Sequence, residues 1–229
     1  MPSKSFDQFV EFFFARKVAA GKEQFDYFPT DLAQEQYHQA VPSDPTKLVK
    51  HMTKLFSNFA QMANKYSLAQ VDQAIWAIGG ARLRLYRFLF EASIPLQNRL
   101  ECIRSMNFVY SDFVGKSKQD PDPSLTGFFM CWDLVLDGFW TPPRPFVPGT
   151  YIGDASKLHS ESHVLLDVMF KTMKRILELA DLEAQRPALH GLGHVHHPEV
   201  RYTVQNYMNV NKFGLDLTWL EHCREGTVM

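Results

Sequence analysis

The stretch Asp44-Pro45-Thr46-Lys47-Leu48-Val49-Lys50-His51-Met52-Thr53-Lys54-Leu55-Phe56 decides the fold class. The Asp44 carboxylate can accept from the unpaired N–H groups of a first helical turn. Pro45 suits the first helical position, where its missing N–H costs nothing. Leu48, Val49, Met52, Leu55 and Phe56 then share one face, continued by Phe59 and Met62. That spacing predicts a long amphipathic helix ending near Tyr66.

The same signals recur on both sides. Ser5 with Gln8 forms a capping box before Phe6, Phe9, Val10, Phe13 and Phe14, with Gly21 as the expected stop. A short helix is expected from Asp31 to Gln39. Ser67 opens another over Leu68, Val71, Ile75 and Ile78, which stops at Gly79-Gly80. Arg82-Leu83-Arg84-Leu85 alternates like a strand, yet Leu85, Phe88, Leu89 and Ala92 fit a helical face, and helix is preferred. Ser93 and Pro95 begin a helix carrying Leu96, Leu100, Ile103, Tyr110 and Val114. Gly115 to Gly127 reads as a loop and Gly127 to Trp140 as an apolar helix buried all round. Pro142, Pro143, Pro145 and Pro148 exclude a continuous helix over Thr141 to Gly153. A long helix from Asp154 to Ala180, a compact pair from Asp181 to Lys212 and a short tail complete the chain. The expected fold is all-α, an irregular antiparallel helical bundle. A single domain over 1–229 is expected, with possible subdivision near the 115–127 and 141–153 loops.

Composition narrows the function classes. The chain has 229 residues, 45% of them hydrophobic and 21% charged, enough to build a core. Lys and Arg number 24 against 25 Asp and Glu, so no global field favours a polyanion and nucleic acid is not an expected partner. No run reaches the roughly 18 apolar residues of a membrane span, so no membrane association is expected. Three scattered cysteines, Cys102, Cys131 and Cys223, without a CxxC pair imply reduced thiols and a cytoplasmic location.

Residues Glu183 to Asn211 carry Arg186-Pro187-Ala188-Leu189-His190-Gly191-Leu192-Gly193-His194-Val195-His196-His197-Pro198-Glu199-Val200. This stretch resembles a single HEAT-like helical repeat of the phycobilisome-lyase type. In that family an Ala-x-x-x-Leu-Gly helix turns tightly into a second helix through Pro-Glu or Pro-Asp. His196-His197 departs from the usual Gly-Asp of the turn. Ala188, Leu192 and Val195 fall on one face, and Gly191 and Gly193 would admit a close helix neighbour. Pairing of Trp132-Asp133 with Ala-Leu-His-Gly-Leu-Gly-His is also similar to uncharacterised bacterial proteins, a likeness that brings no activity. The resemblance adds a degenerate HEAT-like α-solenoid to the bundle as an expected architecture. It implies an interaction scaffold whose partner is a protein. Trp132, Asp133, His190, His194 and His197 are the candidate binding-surface residues.

The alternative is metal chemistry. His159 and His163 stand four apart, as do His190 and His194, which puts each pair on one helix face. Zinc proteases use that arrangement in H-E-x-x-H, but Ser160 and Gly191 occupy the place of its glutamate. Zinc would need further ligands, with Asp181, Glu183 or His197 as neighbouring donors. Along an α-helix His159 lies about 30 Å from Ala180. The four histidines are therefore not expected to converge, and no metal or other cofactor is expected. Arg82, Arg84, Arg87, Lys65 and Arg99, with Tyr86 between, read as a solvated basic face. Gly115-Lys116-Ser117 lacks the first glycine and the preceding strand of a phosphate loop. Trp140 to Pro148 reads as a rigid connector, or as a polyproline segment offered to a groove.

Overall fold

The computed structural model describes residues 5–16, 31–80, 83–116, 126–139, 160–210 and 212–228. No strand occurs among them. Helices α1 (Phe6–Phe14), α2 (Asp31–Ala40), α3 (Pro45–Ser57), α4 (Phe59–Ala63) and α5 (Leu68–Gly79) come first. A 3₁₀ helix at Leu85–Phe90 leads to α6 (Leu96–Ser105). Then follow α7 (Gly127–Phe139), α8 (Ser160–Ile176), α9 (Leu182–Val195), α10 (Val200–Val210) and α11 (Leu217–Glu225). Gly21, the Trp140 to Pro148 segment and His159 lie outside the described residues.

The helix starts follow the capping chemistry. Ser5 and Ser67 each close a reciprocal box with the glutamine three residues on, and Asp44 accepts from the Thr46 N–H. Phe9, Phe13, Leu48, Met52, Val71 and Ile75 are all buried, so each apolar stripe faces inward. The all-α expectation holds.

Several boundaries differ for local reasons. The long helix expected to Tyr66 breaks at Asn58, whose side-chain amide donates to the Lys54 carbonyl and draws the chain out of helical register. Arg82 lies outside the described residues, and the 83–92 stretch is neither strand nor α-helix: Arg84 sits in the left-handed region (φ 46°) and feeds the 3₁₀ turn. The helix expected through Val114 ends at Ser105, and a π-turn at Val109–Phe113 follows. There Tyr110 donates from its hydroxyl to the Phe128 carbonyl, 3.0 Å away. The expected tail holds α11, which Asp216 caps at its start and Gly226 (φ 72°) at its end. Arg99 is no part of a basic face, because it is 1% exposed and bound to Glu161 of α8 at 2.5 Å.

Three helices set the geometry that matters below. Packing of α7 on α9 is close, because Gly191 admits Trp132: a Cβ at Gly191 would stand 2.5 Å from the Trp132 Cβ. Phe129 lies against His190 and Arg186, while Asp133 lies against His190 and His194. Contacts advance together, so α7 and α9 run in the same sense. α8 connects them and runs the opposite way, with Met173 near Gly191 and Phe170 stacked on His197.

Candidate metal centre

On α9, Arg186, His190 and His194 recur every four residues and form one stripe. On α7, Phe129 and Asp133 form the facing stripe, while Phe128, Trp132, Val135 and Leu136 turn into the core. Trp132 is wholly buried and stacks on Tyr110, so it orients Asp133 and presents no binding surface itself. Leu192 and Ala188 fill the core on the far side of α9. The helix therefore turns this polar stripe, together with Gly191, toward α7.

Asp133, His190 and His194 each offer one ligand atom, and these atoms lie within 4.8 Å of one another. The Asp133 carboxylate spans both rings: Oδ2 is 3.3 Å from His190 Nδ1 and Oδ1 is 3.5 Å from His194 Nε2. Zinc ligands at about 2.0–2.2 Å in a tetrahedron stand about 3.3–3.6 Å apart. Each carboxylate–imidazole separation falls in that range, the two running to different oxygens of Asp133.

Hydrogen bonding leaves the cluster unsatisfied. His190 is 1% exposed, yet neither Nδ1 nor Nε2 makes a hydrogen bond, and Asp133 Oδ1 has none either. A neutral imidazole carries one N–H and one lone pair, and burying either unpaired costs about 1–3 kcal/mol. The cluster is polar, and the only internal pairing its members share is the 3.3 Å and 3.5 Å approach of the Asp133 carboxylate to the two rings.

Electrostatics favour a cation here. Burial pushes the His194 pKa below the ordinary histidine value, against the raising pull of Asp133, and His190 lowers it further. His194 is therefore neutral at pH 7, the form that ligates metal. It stands in the last turn of α9, where the unpaired carbonyls carry partial negative charge. Thiolates do not compete: burial raises the Cys131 thiol to about 11 and the Cys102 thiol to about 12.

The other expected donors are elsewhere. Asp181 caps α9 by accepting from the Ala184 N–H, and Glu183 faces Arg186 at 3.9 Å. His197 stacks on Phe170 with Nε2 3.8 Å from Asp167. His163 is solvent-exposed on α8, outside the cluster. His190 and His194 meet a carboxylate that was expected only as part of a binding surface, and His163 does not join them. A signal for it was present: Asp133 and Asp137 are the only charged residues of α7, and a carboxylate on so apolar a helix needs a partner.

Side chains of His194 and Asp133 are 33% and 19% exposed, so solvent reaches one side of the cluster. Comparison with protein-family models, curated proteins and solved structures finds no match to this chain.

Proposed function

We propose that this protein binds one divalent metal ion, best suited to zinc, through Asp133, His190 and His194. The observation that carries this reading is the fully buried His190, both of whose ring nitrogens lack a hydrogen bond beside a carboxylate with an unpaired oxygen. One cation can take a lone pair from one His190 nitrogen and from the Asp133 carboxylate together. A protein-binding scaffold, the function the helical-repeat resemblance implies, would leave them unexplained.

Three protein ligands and a solvent-facing side describe a centre with an open coordination position, the pattern of catalytic rather than structural zinc. Water in such a position ionises near pH 7 and becomes a nucleophile. Metal-dependent hydrolysis is therefore the reaction class this arrangement fits.

Cobalt(II) replaces zinc in such sites and reports its own geometry. Chelator-stripped protein titrated with Co(II) is expected to take up one equivalent with the strong visible bands of a four-coordinate ion. Asp133→Ala and His190→Ala should each abolish the bands. A wild-type protein that takes up no cobalt, or variants that bind it unchanged, would sink the proposal.

A further inference from the structure

The metal-facing stripe continues beyond its ligands. One turn before His190 on α9 stands Arg186, and one turn before Asp133 on α7 stands Phe129. Because the two helices run in the same sense, these residues meet next to the centre. The Phe129 ring lies 4.5 Å from the His190 ring, tilted by 32°. The Arg186 guanidinium carbon lies 5.9 Å from the Phe129 centroid. Metal ligands, an apolar ring and a guanidinium thus follow one another along the facing sides of α7 and α9.

Resting on the metal reading, we infer that the centre accepts a small dicarboxylic acid. One carboxylate takes the open metal position and the other pairs with Arg186. The methylenes between lie along Phe129.

Arg186 has donors to spare. Its ion-pair partner, Glu183, stands 3.9 Å away, and both side chains are nearly half exposed. Such a pair is worth little and gives way to a better acceptor. Guanidinium also matches a carboxylate through two parallel N–H bonds, which a lysine cannot reproduce. The cation at the other end of α7 is already committed, since Arg84 holds Asp137 at 2.8 Å. Recognition of the second anionic group therefore falls to Arg186. A monocarboxylate fills only the metal position, so chain length separates the two modes of binding.

The test uses Co(II)-loaded full-length protein and follows its visible spectrum during titration with acetate, succinate and glutarate. Succinate or glutarate is expected to bind roughly tenfold or more tighter than acetate, as one charge-assisted hydrogen-bonded pair implies. Arg186→Met should erase that preference, Arg186→Lys should keep part of it, and Co(II) affinity should stay unchanged in both. Equal binding of acetate and the dicarboxylates, or a preference that survives in Arg186→Met, would overturn the dicarboxylate inference and leave the metal centre standing. Absence of cobalt binding by the wild type would remove both.

Discussion

Gly191→Leu is expected to unfold the protein or to leave it barely stable, and Gly191→Ala is expected to cost about 1–3 kcal/mol, the range for overpacking a filled core. Even the alanine Cβ would stand 2.5 Å from Trp132 Cβ and 2.7 Å from Met173 Sδ. Both neighbours belong to buried side chains packed from two other helices, so neither can yield freely. In an open helix the same change would stabilise by about 0.5–1 kcal/mol, because alanine is the better helix former. The sign of the effect thus reports whether α7 sits directly on α9. A few kcal/mol is a large share of the 5–15 kcal/mol that holds an ordinary protein together. Urea denaturation of the alanine variant measures it. An unchanged or raised midpoint would mean that the close helix contact is absent, and Asp133 would lose its place beside the imidazoles.

The second large effect is stabilisation by metal. An ion that binds only the folded protein adds about 2.7 kcal/mol at a hundredfold excess over its dissociation constant. For a chain of this size that corresponds to a rise of about 5–10 °C in Tm. Zinc should produce this rise in the stripped wild-type protein and none in His190→Ala or Asp133→Asn. His163→Ala should respond as the wild type does, since His163 lies outside the cluster. An equal rise in all four proteins would place the ion elsewhere.

Much of the fold was legible because it is local. Ser5 with Gln8, Asp44 with Pro45, and Ser67 with Gln70 are complete within a single turn, and the apolar stripes behind them need no tertiary knowledge. Interruptions were harder. A side-chain hydrogen bond at Asn58, a left-handed Arg84 and a π-turn at Tyr110 each depend on contacts that periodicity does not encode. The α11 signals, Asp216 and Gly226, are of the same local kind as those caps.

The centre was half legible for the same reason. His190 and His194 share a face by their spacing alone. Their partner Asp133 comes from another helix, and only the seating of Trp132 on Gly191 decides which α7 residue faces them. His163 lies outside the cluster, while the third member comes from outside both histidine pairs. His196 shows a related limit. It takes the left-handed position (φ 49°) that glycine usually fills at a helix end, a strained turn that its residue type does not announce.

The most direct test of the central claim is an anomalous difference map from crystals of the full chain grown with zinc. A single strong peak is expected between α7 and α9, about 2.0–2.2 Å from one oxygen of Asp133 and one nitrogen each of His190 and His194. A peak at other residues, or none at these three, would contradict the metal centre.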